Sequence, residues 1–109
     1  MSNQTYTAGT TPQETIKAAA EQQTPDGYKI ACWPNSEEFD ALQRMTAQGI
    51  DSRLEAIHFE QETDSRGAPQ FTFDPQSVSV LCRRLAESEN DADLSLRIDI
   101  LGTLGIEEV

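Results

Sequence analysis

The segment from Leu54 to Phe73 reads Leu-Glu-Ala-Ile-His-Phe-Glu-Gln-Glu-Thr, then a polar turn, then Pro-Gln-Phe-Thr-Phe. Polar and apolar residues alternate in both runs, which is typical of half-buried strands. The connecting residues 63–68 are mostly polar and include Gly67. Two alternating runs joined by a glycine-containing loop predict a β-hairpin with strands over residues 54–62 and 69–73.

A helix is predicted directly after this hairpin. Asp74 offers an N-cap side chain, and Pro75 is the residue type favoured at the first helical position. Apolar side chains then recur three and four residues apart, as on the buried side of an amphipathic helix, at Val78, Leu81, Cys82 and Leu85. We therefore predict a helix that ends near Leu85.

A strand and a second helix are predicted upstream of the hairpin. Residues 28–33 read Tyr-Lys-Ile-Ala-Cys-Trp, a mostly alternating run that ends at Pro34 and predicts a strand. Asn35 and Glu38 form a capping box. Apolar side chains recur at helical spacing after it, which predicts a helix over about residues 36–48.

The first 25 residues are expected to form a flexible extension with one short helix. Thr11, Pro12 and Glu14 have the residue types of a capped helix start. The apolar face of that helix is thin, so we expect it to pack loosely or to become ordered on a partner. Residues 26–109 are predicted to form a single domain.

The last regular element is predicted to be a strand. Residues 94–100 read Leu-Ser-Leu-Arg-Ile-Asp-Ile, which alternates over seven positions. A helix would scatter these apolar residues over all of its sides. The acidic residues between Leu85 and this strand are then expected to form a loop.

The order of elements predicts a fold class. From Tyr28 onward the order is β-α-β-β-α-β, the split β-α-β or ferredoxin-like order. Right-handed crossovers would place both helices on one face of a four-stranded antiparallel sheet. The predicted fold is therefore α+β, preceded by an N-terminal helix.

The charge balance limits the partners that this chain can bind. Its 109 residues include 19 acidic and 8 basic side chains, which give a formal net charge of −11. Such a field repels phosphate groups, so direct binding to nucleic acid or to an anionic membrane is not expected. The outer face of the predicted sheet also lacks the central aromatic residues of RNA-binding versions of this topology.

Targeting signals and cysteine content favour the cytoplasm. No apolar run approaches the ~20 residues of a membrane-spanning helix, and the N-terminus resembles no signal peptide. Cys32 and Cys82 are two widely spaced thiols, which do not make a disulfide framework. We interpret both as buried apolar side chains.

The sequence contains no motif for catalysis, metal binding or cofactor binding. It has no glycine-rich phosphate loop, no His-Glu-x-x-His and no Cys-x-x-Cys. His58 is the only histidine, and Glu60 and Asp99 would lie near it in the predicted fold. One histidine without a companion ligand motif is more simply a surface residue. We predict a protein that is not an enzyme and that uses no cofactor or metal.

Two acidic clusters and the single tryptophan are the candidate partner-binding residues. The clusters consist of Glu37, Glu38 and Asp40, and of Glu87, Glu89, Asp91 and Asp93. These acids either complement a basic groove on another protein or serve as helix N-terminal charges and a solvated loop. Trp33 is either an interface anchor or a side chain that folds over the edge of the core.

Three functional hypotheses follow. The first is a small, acidic, non-enzymatic binder of a protein with a basic surface. In its specific form, this binder is a phage or mobile-element inhibitor that mimics nucleic acid and occupies a nucleic-acid-binding site of a host protein. The second is a small-molecule or nucleotide-binding protein that uses Arg83, Arg84 or Arg97 with Trp33. The third is a structural or assembly subunit, a homo-oligomer formed by edge pairing of the outer strands.

Overall fold

Four helices and five short strands make up the part of the chain that the structure, a computed structural model, describes, namely residues 5–47 and 57–109. The helices are α1 (Gln13–Gln23), α2 (Glu37–Thr46), α3 (Pro75–Ala86) and α4 (Asp91–Thr103). The strands are β1 (Thr5–Tyr6), β2 (Tyr28–Ala31), β3 (Phe59–Thr63), β4 (Pro69–Phe73) and β5 (Glu107–Glu108). Among these residues, β2, β4 and β3 form a three-stranded antiparallel sheet in that order, and β1 pairs with β5 in parallel.

Helix α3 lies at the centre of the fold. Seven of its residues are buried, and because six of them are consecutive they cover every side of the helix. α1 packs along one side of α3, and α4, α2 and β4 contact its other sides. The side chain of Asp74 accepts a hydrogen bond from the Ser77 N–H at 2.7 Å. The predicted helix and its N-cap are confirmed, but its buried surface is wider than the predicted stripe because helices pack around it.

The predicted hairpin is confirmed and supplies the inner face of the sheet. β3 pairs with β4 from Phe59 opposite Phe73 to Thr63 opposite Pro69, while residues 54–56 of the predicted strand lie outside the described residues. β2 pairs with the other edge of β4, so that β4 is the central strand. Phe71 and Phe73 are buried on its inner side. The ring of Phe39 from α2 packs edge-on against Phe71, with ring centroids 5.8 Å apart.

Helix α2 is confirmed with a different N-cap. The Ser36 hydroxyl, and not the predicted Asn35 side chain, accepts a hydrogen bond from the Phe39 N–H at 3.1 Å. The turn before β2 depends on Gly27, which has a φ of +114°. A Cβ at Gly27 would lie 2.6 Å from Thr72 Cγ2, so a larger residue would force the Thr72 side chain to shift and would also hold a backbone conformation that only glycine adopts readily.

The predicted four-stranded antiparallel sheet is wrong, and with it the ferredoxin-like order. Residues 94–100 belong to helix α4, so the described residues provide only three antiparallel strands. The alternating pattern misleads because polarity and exposure do not coincide here. Arg97 is 4% exposed, whereas Ile98 is 62% exposed. On a helix, Arg97 shares the buried side with Leu96 and Ile100.

The predicted acidic loop contains the start of α4. Asn90 is its N-cap, and the side-chain carbonyl accepts a hydrogen bond from the Ala92 N–H at 2.9 Å. Asp91 and Asp93 occupy the first turn, where the helix macrodipole favours acidic side chains. The sequence therefore carries a helix-start signal at Asn90 that conflicts with the strand signal that follows it.

Helix α1 packs more closely than expected. Ile16 is 1% exposed, and both Ile16 and Ala20 belong to the same hydrophobic core as α3. The Gln23 side-chain amide also donates a hydrogen bond to the Leu104 carbonyl at 2.6 Å. Near both ends of α1, the chain thus contacts elements from the C-terminal half.

The packing of α1 predicts that Ile16→Ala lowers the free energy of unfolding of the whole domain by about 2–4 kcal/mol, because the substitution leaves a cavity beside α3. Urea denaturation measures this change. Lys17→Ala, at the exposed neighbouring position, is the control and should change stability by only a few tenths of a kcal/mol. Unchanged stability of Ile16→Ala would instead support the flexible extension predicted for residues 1–25.

A helix and a strand over residues 94–100 predict opposite effects of alanine and valine on stability at the exposed position Ser95. Ser95→Ala should be more stable than Ser95→Val by about 0.5 kcal/mol, because alanine has the higher helix propensity. A strand would reverse the order, since valine is favoured in strands. Urea denaturation of the two variants side by side decides between the two states.

Candidate functional site

The first turns of α2 and α4 lie side by side. Ser36 and Glu37 line the same surface cavity as Asn90 and Ala92, with a volume of about 330 Å³. A second cavity of about 210 Å³ continues between the two helices and includes Asp99 in its lining. Acidic residues from two distant parts of the sequence therefore share one surface.

We call this surface the acidic face and define it by the four exposed carboxylates that line the two cavities, those of Glu37, Glu38, Asp40 and Asp99. Three of them belong to the first cluster predicted from the sequence, whereas Asp91 of the second cluster is exposed but lines neither cavity. Asp99 was missed as a partner-binding residue, because in the predicted strand it lay on the sheet far from the clusters. A helix starting at Asn90 would have revealed it, since Asp99 then lies two turns after Ala92 on the same side of α4, and Ala92 lines both cavities.

An ion pair joins α2 to α4 at the acidic face: the Asp93 side chain is fully buried, whereas Arg44 is 42% exposed and lines the larger of the two cavities. The Arg44 Nη1 and Nη2 atoms donate to the two carboxylate oxygens of Asp93 at 3.0 and 2.7 Å. Arg44 Nε also donates to Asp40 at 3.0 Å, and the Ser88 hydroxyl donates to Asp93 at 2.6 Å. The hydrogen bonds from Arg44 hold the pKa of Asp93 below its usual range, although burial opposes this shift.

This pairing removes one predicted residue from the surface. The side chain of Asp93 is fully buried, so it contacts Arg44 and Ser88 and not the solvent. Asp40 stays exposed but has part of its charge balanced by Arg44.

The other predicted partner-binding residues, Trp33, Glu87 and Glu89, do not line the two cavities of the acidic face. Glu87 lines a different cavity, together with Gly9 and Arg83. Glu89 is exposed in the loop that precedes Asn90. Trp33 follows the end of β2 and is 49% exposed, but it is not among the described residues that line the two cavities of the acidic face.

The three arginines of the small-molecule hypothesis do not form one cluster. Arg83 and Arg97 line a cavity of about 320 Å³ that also contains Ser79. Arg84 instead donates a hydrogen bond to the Met45 carbonyl at 3.0 Å. The charge of Arg97 is balanced by Glu108, which weakens any attraction of this cavity for an anionic ligand.

Arg97 and Glu108 form a buried ion pair that fastens both ends of the chain to α4. Arg97 donates from Nη2 to Glu108 at 2.8 Å and from Nη1 to its other oxygen, and its Nε donates to the Cys82 carbonyl at 3.1 Å. Glu108 also accepts hydrogen bonds from the Thr11 hydroxyl and from the Gly9 N–H. Burial alone would raise the pKa of Glu108, but the hydrogen bonds from Arg97, Thr11 and Gly9 outweigh it and hold the pKa at about 2.

The ion pair predicts that Glu108→Gln destabilises the fold at neutral pH by about 3 kcal/mol, because a buried guanidinium loses its counter-charge. The folded-state pKa of Glu108 lies below its ordinary value of 4.5. Its stabilising contribution is therefore complete above pH 4.5 and is lost as the pH falls towards 2. The stability difference between wild type and Glu108→Gln should shrink over that interval.

Urea denaturation at a series of pH values measures this difference. Glu107→Gln removes the same charge from an exposed neighbour and is the matched control. A difference between wild type and Glu108→Gln that stays constant down to pH 2 would contradict the assigned role of the ion pair.

His58 lies away from the acidic face. It lines a cavity of about 410 Å³ with Asp26, Glu60 and Asp74. Asp99, which the predicted fold placed near His58, lies on α4 and does not line this cavity. Within residues 5–47 and 57–109, no group of three or more histidine, cysteine or acidic side chains is arranged to hold a metal ion. No helix in those ranges is long and apolar enough to cross a membrane.

Both cysteines are buried and free of disulfide bonds. Burial raises the pKa of Cys82 to about 12, so this thiol stays protonated at neutral pH.

Comparison with known proteins identifies no relative: no family model, curated protein or solved structure matches the chain. The geometry and charge of the surface itself are therefore what bear on the function of this protein.

Proposed function

We propose that this protein is a small, non-enzymatic binding protein whose acidic face docks on a basic surface of another protein. The observation that carries the proposal is the convergence of acidic residues from α2 and α4 on one exposed surface. The hydrogen bonds from Arg44 to the buried Asp93 hold the two helices together, so the arrangement of the exposed carboxylates is set by the fold.

Helix stabilisation alone does not account for this surface. Acidic residues in a first helical turn interact favourably with the macrodipole, which explains Glu37, Glu38 and Asp40. Asp99 lies in the second half of α4, where the macrodipole gives no such stabilisation. Its presence beside the α2 acids favours a role in charge complementarity.

The net charge of the chain supports the same conclusion. A formal charge of −11 attracts a basic partner over distances comparable with the Debye length, about 10 Å at 0.1 M salt. Binding of this kind accelerates association and weakens as salt increases. A basic surface that ordinarily binds nucleic acid, such as one targeted by a phage or mobile-element inhibitor, is the specific form of partner that we propose.

The proposal predicts that Glu37→Gln together with Glu38→Gln weakens partner binding about tenfold at low salt, because two carboxylates of the acidic face lose their charge. Affinity capture from a lysate identifies the partner, and titration of the purified pair measures the affinity. Glu60→Gln together with Glu62→Gln removes the same charge from exposed positions of β3 and is the matched control.

Equal weakening by both double variants would show that net charge, and not the acidic face, governs binding. No weakening by either would contradict the proposed function. Competitor DNA tests the specific form: displacement from the partner supports a shared site, and retention contradicts it.

A further inference from the structure

An apolar residue lies exposed in the middle of α4, next to the acidic face. Ile98 is 62% exposed although it lies well inside the helix and not at a frayed end. One turn earlier, Leu94 is partly exposed. One turn later, Gly102 adds no side chain, and a Cβ built there would meet nothing within 4 Å.

These three residues form a continuous feature, which we call the apolar strip. Leu94, Ile98 and Gly102 follow one another at intervals of four residues, so they lie on one side of α4. The strip is about 12 Å long, at 1.5 Å per residue. It offers the Ile98 side chain and, at Gly102, a length of helix backbone that no side chain covers.

The acidic face borders the strip on one side only. Asp99 and Ser95 lie between the strip and α2, where they line the same cavity as Glu37 and Glu38. On the opposite side, the neighbouring position Leu101 is buried in the core. A partner therefore meets an apolar centre with negative charge along one edge.

We propose that the apolar strip and the acidic face together accept a basic amphipathic helix of a partner protein. The inference rests on the proposed function and narrows the class of partner. The apolar side of such a helix covers Ile98 and Leu94, and its lysine or arginine residues reach Asp99 and the α2 carboxylates. This is the arrangement of a helix bound on a mixed apolar and charged surface.

Charge excludes a second copy of this chain as the favoured occupant. In a symmetric contact the same strip meets itself, so the carboxylates beside it approach those of the other copy. Each copy carries a formal charge of −11, and like charges across an interface are destabilising. A positively charged helix meets no such repulsion.

The test uses a synthetic lysine–leucine peptide of about 18 residues, five helical turns, with leucines on one helical side. Fluorescence anisotropy at low salt measures its binding to the full chain. A peptide of the same composition with the leucines scrambled has the same charge and no apolar side. We expect the amphipathic peptide to bind at least tenfold more tightly than the scrambled one.

Ile98→Ala should remove about tenfold of the affinity for the amphipathic peptide, as truncation of a central apolar anchor does. Because Ile98 is exposed and alanine favours helix, the fold should be as stable as wild type. Ile98→Leu should restore binding. Val109→Ala truncates another exposed apolar side chain and should leave binding unchanged.

The outcomes separate this inference from the proposed function. One outcome is that the Glu37 and Glu38 variant weakens binding of the natural partner while Ile98→Ala changes binding of neither the partner nor the peptide. This outcome would support the acidic face as the binding surface and contradict the amphipathic helix as the partner. Equal affinity for the two peptides also overturns the inference. A concentration-dependent dimer of the wild type that Ile98→Ala abolishes, seen by sedimentation, would show that a second copy occupies the strip.

Discussion

The buried pair of Arg97 and Glu108 connects the two ends of the chain with the helix between them. Arg97 projects from α4 into the interior, and Glu108 approaches from β5. Thr11 and Gly9 complete the shell of donors around the same carboxylate, which brings the N-terminal segment against α4. An unpaired charge at this depth would cost several kcal/mol, so α4, β5 and the segment before α1 stabilise one another. The parallel pairing of β1 with β5 follows from this junction.

The acidic side chains of the chain divide into two groups with different roles. Asp93 and Glu108 are drawn inside, where each is matched by an arginine, and they hold elements together. The acids of α2 and the exposed acids of α4 stay at the surface and give it a negative field. Because Arg44 donates both to the buried Asp93 and to the exposed Asp40, this ion pair also determines how α2 and α4 present their exposed carboxylates. The proposed binding surface thus depends on the pairing of Arg44 with Asp93.

Local signals predicted the elements that are formed mainly by local interactions. Asp74-Pro75 and the apolar spacing after it predicted α3, and the alternating runs around Gly67 predicted the hairpin of β3 and β4. The acidic clusters were also visible in the sequence, and three residues of the first cluster do lie on the acidic face. What these signals lacked was any information about which distant residues would pair. Trp33 and Glu87, chosen for their chemistry alone, do not line the cavities of the acidic face.

Residues 94–100 show where prediction from local sequence fails and where contacts with distant residues decide the structure. Their alternation predicts a strand only if every polar residue faces the solvent. Arg97 is buried instead, because Glu108, eleven residues later, supplies its counter-charge. With Arg97 buried, the core-facing side of α4 carries both polar and apolar residues. Ile98 then lies at the surface, and Asp99 lies beside the acidic residues of α2. The net charge follows directly from the residue count, and the Asp74 cap of α3 and the hairpin were determined by the sequence itself, since both depend on neighbouring residues. The identity of α4, the pairing of the termini and the composition of the acidic face were decided only in the tertiary structure, since each depends on a charge brought into the core by a distant partner.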